Sequence, residues 1–249
     1  MVPALNEEGN LEYTINNIQQ GAKNNIEDYE ILVFNDGSTD KTGKIANKLA
    51  QKNKKILVTH HRINKGLGYC YRDGLRKARF EYYMYIPGDD QFPKEALAKM
   101  LKKIGTADIV IPYVTNMHIR PILRQWLSHT FTFLINTFFN LKVSYYNGTV
   151  IHRTDLLRPV PLTTSGFAYQ AEALVRLLKS GASFTEVGYE MVERKTGLTS
   201  AFRIKNIKSV AELLLKLFWE IQICRKSVLL NTPLNTHPAP SRSATTFDL

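Results

Sequence analysis

Two carboxylates and an amide stand together near the middle of the chain, at Asp89, Asp90 and Gln91. They follow the apolar run 82–86, which places them at the C-terminal end of a buried strand, where open α/β sheets bind ligands. Oxygen ligands of this kind hold Mg²⁺ or Mn²⁺ against a phosphate-bearing substrate. The alternative is a polar turn that only caps a helix beginning near Lys94.

A second acidic turn lies upstream of this cluster. The apolar run 29–34 is followed by Asn35, Asp36, Gly37 and Ser38, a composition that ends a strand and begins a turn. Two acidic turns that each follow a buried strand strengthen the case for a ligand site.

The elements that must position these turns alternate along the chain. Helical patterns of 10–15 residues separate the apolar runs, which predicts βαβ units and a mostly parallel α/β sheet. The predicted strands are residues 29–34, 56–59, 82–86 and 108–112. Residues 1–8 resemble the exit of a strand and the entry of a helix, with the strand itself almost missing. We therefore expect a truncated first strand.

Length and composition limit the classes of protein. A chain of 249 residues suits one α/β domain, predicted here as residues 1–204, with appendages. Its two cysteines argue against a disulfide framework and for a reducing compartment. The net charge of +11 has no run of five basic residues, so we expect anionic partners such as phosphates or a membrane surface, and no nucleic acid.

Two amphipathic helices are predicted beyond the alternating region. Residues 119–141 carry a wide apolar stripe, and residues 205–230 form a basic helix with one apolar face. Such helices pack on their own domain or lie in a bilayer interface. The sequence contains no run of 18 uncharged apolar residues, so it predicts no membrane span. The tail 231–249, rich in Pro, Ser and Thr, is predicted to be disordered.

Four segments occur in a characteristic order. They are residues 2–7 (VPALNE), 35–40 (NDGSTD), 64–68 (NKGLG) and 88–93 (GDDQFP). This ordered set resembles family-2 glycosyltransferases with the GT-A fold, in particular the polyprenyl-phosphate, dolichol-phosphate mannosyltransferase-like branch. The resemblance covers roughly residues 1–225.

The resemblance implies a divalent cation, Mg²⁺ or Mn²⁺. The family pattern Asp-x-Asp-x-Gln coordinates it, and here the pattern begins with Pro87 in place of its first Asp. Asp89 and Gln91 are then the implied ligands, with Asp90 as a possible substitute. The cation would act as a Lewis acid on the diphosphate leaving group of a sugar nucleotide.

The resemblance also implies a nucleotide pocket. Asp36 matches a position that contacts the base or ribose, although it could instead only close its turn. The implied donor-nucleotide residues are Pro3, Ala4, Glu7, Asp36, Gly66 and Gly68. The five histidines outside the tail have no regular metal spacing, and we interpret them as incidental.

Basic residues are implied at the acceptor. Arg194 matches the arginine of the family's Arg-x-x-Gly-x-Ser pattern, and Lys195, Arg120 and Arg124 are further candidates for an acceptor phosphate. Asp89 and Arg194 are the expected catalytic residues. Glu172 is a candidate base or a structural carboxylate. A lipid phosphate is already ionised and needs no base, which favours a phosphate acceptor.

The expected activity is hexose transfer from a UDP- or GDP-sugar to a polyprenyl phosphate, with inversion. The enzyme would lie peripherally on the cytosolic face of a membrane. One alternative keeps the family but uses a glycan hydroxyl as acceptor. Another is a non-catalytic homologue that binds nucleotide.

Overall fold

The computed structural model describes residues 1–164, 168–191 and 204–223, with the side chains of 204–210 excepted. The seven strands of these residues are β1 Val2–Ala4, β2 Ile31–Asp36, β3 Ile56–His61, β4 Tyr82–Met84, β5 Ile109–Val114, β6 Ile151–Arg153 and β7 Phe184–Tyr189. The helices are α1 Leu11–Ala22, α2 Thr42–Lys52, α3 Leu67–Lys77, α4 Lys94–Leu101, α5 Ile122–Phe139, α6 Thr154–Leu157, α7 Tyr169–Lys179 and α8 Ile204–Phe218. A short 3₁₀ turn, Met117–Ile119, precedes α5, and a π-helical segment, Trp219–Ile223, continues α8.

The strands form two hydrogen-bonded groups, β1-β2-β3 and β4-β6-β5-β7. Met1 joins them, because its amino group donates to the Met84 carbonyl at 2.8 Å and its carbonyl accepts from the Ile86 N–H at 2.9 Å. The resulting order is β3-β2-β1-β4-β6-β5-β7.

Parallel pairing brings most strand ends to one edge of the sheet. β1, β2 and β3 are mutually parallel, as are β5 and β7, while β6 runs antiparallel between β4 and β5. The carboxyl ends of β1, β2, β3, β4, β5 and β7 therefore share an edge with the start of β6. Open α/β sheets bind ligands at such an edge.

Burial explains why these segments form strands and helices. Every residue of β2 is buried, as expected for a central strand covered on both faces. Helix α1 buries Leu11, Ile15 and Ile18 on one face, at helical spacing. Packing of such faces on both sides of the sheet gives the two apolar clusters of the core.

The predicted α/β fold with a mostly parallel sheet is confirmed, with differences at the ends of elements. β2 begins and ends two residues later than predicted, and the β4 ladder ends at Met84 because Ile86 already bonds to Met1. β1 is a strand of three residues. Residues 205–223 of the predicted helix 205–230 correspond to α8 and the π-helical segment. The rest of that range and the predicted disordered tail 231–249 lie outside the described residues.

A cavity of about 610 Å³ lies between the sheet and helices α1 and α4. Ile31, Tyr82 and Ile151 are among its lining residues, and none of the predicted site residues is. The cavity is therefore distinct from the predicted ligand site.

Candidate functional site

The loops that follow β1 and β2 are tied together at the ligand edge. The Asn6 N–H donates to Ser38 Oγ at 3.0 Å, and the Thr39 N–H donates to Asn6 Oδ1 at 2.9 Å. The Glu7 N–H donates to Thr42 Oγ1 at 2.8 Å. Backbone and side chain thus fix the two loops against each other, which makes this part of the edge preorganised.

Asp36 ends β2 and is only 5% exposed. Its Oδ1 accepts from His61 Nδ1 at 2.7 Å and from the Lys65 N–H at 3.0 Å, and its Oδ2 accepts from the Gly66 N–H at 2.9 Å. Burial alone would raise the pKa of Asp36, but these hydrogen bonds favour the charged form and hold the pKa below its usual value. The carboxylate is therefore ionised at neutral pH.

The loop after β3 packs on the turn after β2 at Gly37. Gly37 has a φ of +79°, and a Cβ there would lie 2.5 Å from the Asn64 nitrogen and 2.7 Å from the Ile63 carbonyl carbon. Only a residue without a side chain fits both the conformation and the space. The loops after β1, β2 and β3 therefore pack against one another along the ligand edge.

Gly37→Ala is expected to destabilise the protein more than Gly105→Ala. Both glycines have φ near +80°, but a Cβ at Gly105 would meet nothing within 4 Å. The left-handed conformation costs an alanine about 1–2 kcal/mol at either position, and the backbone clash adds to this only at Gly37. We expect the free energy of unfolding, measured with urea, to fall by roughly 1–2 kcal/mol in Gly105→Ala and by more than about 2 kcal/mol in Gly37→Ala. Equal losses would contradict the close approach.

The loop after β4 crosses directly over β1. A Cβ at Gly88 would lie 2.7 Å from the Pro3 carbonyl oxygen and 3.5 Å from Ala4 Cβ. Burial, together with the negative charges of Asp89 and Glu7, raises the pKa of the Tyr85 hydroxyl. The structure thus brings Pro3, Ala4 and Glu7 together with the loop that carries Asp89.

The loop does not serve to cap α4. Pro93 is the residue at the N-terminus of that helix, and no side chain makes a capping hydrogen bond there. Within the loop, Asp89 Oδ1 accepts from the Gln91 N–H at 3.3 Å. The capping alternative is therefore wrong, although a local turn does form.

Asp90 is held by α1. Its φ of +56° lies in the left-handed region, its N–H donates to Thr14 Oγ1 at 2.9 Å, and its Oδ1 accepts from Asn17 Nδ2 at 2.6 Å. The Asp90 side chain is thus directed to Asn17. The adjoining pair, Asp89 and Gln91, offers a carboxylate and an amide oxygen, the hard donors that Mg²⁺ and Mn²⁺ prefer.

Arg120 lies beyond the carboxyl end of β5. Its Nη1 donates to the Tyr145 hydroxyl at 2.9 Å, and its guanidinium contacts the Met191 sulfur. Arg124 lies half-buried in the first turn of α5. Arg194 and Lys195 lie outside the described residues.

Glu172 is fully buried in α7 and engaged on both oxygens. It accepts from the N–H and hydroxyl of Thr163 and the N–H of Thr164, and Arg176 approaches it at 3.4 Å. Arg176 also pairs with Glu220 of the π-helical segment at 2.7 Å. The candidate base Glu172 thus has a structural role.

Sequence analysis missed His61 and Cys70. The Asp36, His61 and Cys70 side chains place ligand atoms within 4.8 Å of one another. The interpretation of His61 as incidental is wrong, because His61 is the side-chain partner of Asp36. The parallel register, which places Asp36 opposite His61, is the signal that links them, and it follows only once β2 and β3 are aligned.

Comparisons of sequence identify relatives of this chain. The model of the family described as "Glycosyl transferase family 2" matches residues 1–160. An undecaprenyl-phosphate mannosyltransferase of Micrococcus luteus is 25% identical over 208 residues, which cover 79% of this chain and 84% of that relative. A polyprenol monophosphomannose synthase of Mycolicibacterium smegmatis is 28% identical over 217 residues, covering 80% and 78%.

Comparison of structures supports the same fold. A glucosyl-3-phosphoglycerate synthase from Mycobacterium tuberculosis, solved in complex with Mg²⁺ and UDP, superposes with a TM-score of 0.65 at 16% identity. The match covers 86% of this chain and 76% of that one. At this identity the likeness concerns the fold alone, and it confirms the expected GT-A architecture.

Proposed function

This chain belongs to glycosyl transferase family 2 and is a glycosyltransferase, and on that premise we propose that it transfers a hexose from a UDP- or GDP-sugar to a polyprenyl phosphate, with inversion. The observation that carries the proposal is the meeting of two acidic loops at one sheet edge. The Gly88 loop packs on Pro3, and the β1 loop is bonded to the turn after Asp36. A sugar nucleotide needs both, one for its diphosphate and one for its nucleoside.

Asp89 and Gln91 would hold Mg²⁺ or Mn²⁺. When bound, the cation supplies a Lewis acid that neutralises charge on the departing nucleoside diphosphate. The Asp89 carboxylate would lie at the end of the pocket that takes the diphosphate. The hydrogen bonds of Asp90 to Thr14 and Asn17 of α1 hold the loop that carries Asp89. Preorganised polar groups of this kind stabilise developing charge without further rearrangement.

Pro3, Ala4, Glu7, Asp36, Gly66 and Gly68 would form the nucleoside pocket. Asp36 and Gly66 are already bonded to each other, and Gly68 is buried in the first turn of α3. Asp36 Oδ2 accepts from the Gly66 N–H, and each carboxylate oxygen has two lone pairs. A lone pair of this carboxylate would accept from a base or ribose.

An acceptor that is already ionised needs no catalytic base, and Glu172 is not available to act as one. A hydroxyl acceptor must lose a proton to a carboxylate, but Glu172 is enclosed by Thr163, Thr164 and Arg176. A phosphate oxygen attacks without losing a proton, so positioning by cations suffices. Arg120, Arg124, Arg194 and Lys195 are the proposed cations. By their names, one of the two relatives is a mannosyltransferase for undecaprenyl phosphate and the other makes polyprenol monophosphomannose.

The proposed acceptor requires contact with a membrane surface. Among the described helices, none combines the length and apolarity needed to cross a bilayer. Leu123 and Trp126 of α5 are 67% and 69% exposed, and Trp219 of the π-helical segment is 62% exposed. Large apolar side chains beside Arg120 and Arg124 are typical of helices that lie in a bilayer interface. We therefore propose peripheral binding at the cytosolic face.

The proposal is tested by supplying polyprenyl phosphate and UDP- or GDP-hexoses labelled in the sugar, with Mn²⁺. We expect label in a product that partitions into organic solvent and is released by mild acid. Label transferred instead to an added glycan would indicate a hydroxyl acceptor. Nucleotide binding without transfer from any donor would support the non-catalytic alternative and overturn the proposal.

A further inference from the structure

His61 is the last residue of β3 and lies beside Asp36 at the ligand edge. Its Nδ1 is 2.7 Å from Asp36 Oδ1, and its ring contacts the rings of Phe34 and Tyr69, with centroid distances of 5.9 Å and 5.4 Å. The ring is therefore held in one orientation by a hydrogen bond and by two aromatic neighbours.

The ionised state of Asp36 determines which nitrogen of His61 carries the proton. A carboxylate only accepts hydrogen bonds, so Nδ1 must be the donor in this contact. In the neutral imidazole the second nitrogen, Nε2, then has a free lone pair and acts as an acceptor. Cys70 Sγ lies 3.9 Å from Nδ1.

A hydrogen bond explains this cluster better than a metal ion. The distance of 2.7 Å between Asp36 Oδ1 and His61 Nδ1 is that of a hydrogen bond, and a metal would have to replace the proton between them. Burial, followed by the charge of Asp36, raises the pKa of the Cys70 thiol to about 12. Asp36 and His61 thus form a hydrogen-bonded dyad with a neutral thiol beside it.

Nε2 receives no hydrogen bond from the described residues. The His61 side chain is 7% exposed, and Nε2 is not one of the fully buried polar atoms without a partner in the described part of the chain. This acceptor lies at the ligand edge, beside the proposed nucleoside residues Asp36 and Gly66.

We propose that His61 reads the nucleobase of the donor, which rests on the proposed function of the same site. Nε2 accepts a hydrogen bond from a ring N–H, which uracil and guanine present. In cytosine and adenine the corresponding ring nitrogen is itself an acceptor. The dyad thereby selects uridine and guanosine diphosphates over cytidine and adenosine diphosphates, because an acceptor facing an acceptor leaves both unsatisfied.

Two substitutions distinguish the roles of the two nitrogens of His61. In His61→Asn the amide nitrogen occupies the place of Nδ1, so the bond to Asp36 is kept and Nε2 is lost. In His61→Gln the longer amide reaches the place of Nε2 and its oxygen can accept a hydrogen bond. Urea unfolding of each variant checks that the fold is retained.

The test is calorimetric binding of UDP, GDP, CDP and ADP in the presence of Mn²⁺. We expect the wild type to prefer UDP or GDP about tenfold over CDP and ADP, and His61→Asn to lose that preference through weaker binding of the preferred nucleotide. His61→Gln should regain part of it. Two results would overturn the inference and leave the proposed function standing. One is an equal loss of affinity for all four nucleotides in His61→Asn, and the other is an unchanged order of affinities in a folded His61→Asn. Failure of the wild type to bind any of the four overturns the proposed function as well.

Discussion

Asp89→Asn is expected to lower hexose transfer by roughly 10²–10³-fold, the effect of several kcal/mol of lost Lewis-acid stabilisation. The substitution removes the charge of the proposed cation ligand and keeps the shape of the side chain. It should also abolish the extra rise in melting temperature that Mn²⁺ adds to bound UDP or GDP. Both are measured with the purified protein, by product formation and by thermal shift.

Asp90→Asn is the matched control for this prediction. Asparagine tolerates the left-handed φ of position 90, and its amide oxygen can still accept from Asn17. We expect transfer within about threefold of the wild type, since an isosteric change on the surface alters little. If Asp90→Asn loses the Mn²⁺ effect and Asp89→Asn keeps it, the cation lies on the other carboxylate and the assignment is wrong.

The double variant Leu123→Gln, Trp126→Gln is expected to lose most of its binding to lipid vesicles. Burying one large apolar side chain contributes about 1.5–3 kcal/mol, so removing two should weaken the partition coefficient by at least about 10²-fold. Glutamine preserves helix propensity, which leaves α5 intact. Sedimentation with vesicles that contain anionic lipid measures the bound fraction.

Tyr13→Gln provides the control for the membrane experiment. Tyr13 lies on α1 and is 64% exposed, close to the value for Trp126. Loss of a single exposed ring outside the α5 surface should leave vesicle binding unchanged. Equal weakening by both variants would indicate unspecific adhesion of apolar side chains, and no weakening by the double variant would exclude α5 as the docking surface.

The fold could be predicted from sequence because its signals are local. Apolar runs followed by polar turns marked β2, β3, β4 and β5, and the helical spacing of apolar residues marked the helices between them. The early end of β4 and the antiparallel β6 follow from pairing between distant segments, which periodicity does not encode. The same holds for the link through Met1 between the two groups of strands.

Individual residues of the candidate site can be predicted from the sequence, but the contacts between them cannot. Asp36 and Asp89 were singled out because each follows a buried strand. The engagement of Asp90 by Asn17 depends on the packing of α1 against the loop, and the partnership of Asp36 with His61 depends on strand register. Both are tertiary consequences that no spacing in the sequence indicates.

The three internal hydrogen bonds of Asp36 bear on how mutational scans of this pocket should be interpreted. An alanine at position 36 would leave the Lys65 N–H and His61 Nδ1 without this acceptor, at up to about 1–3 kcal/mol each, and the Gly66 N–H with only its bond to Asn64 Oδ1. Lost affinity in such a variant would therefore measure collapse of the loop as well as a missing contact. By mass action, a nucleotide bound to this loop would stabilise it in return. Folding and recognition are inseparable at this carboxylate, and only replacements that keep its acceptors can distinguish them.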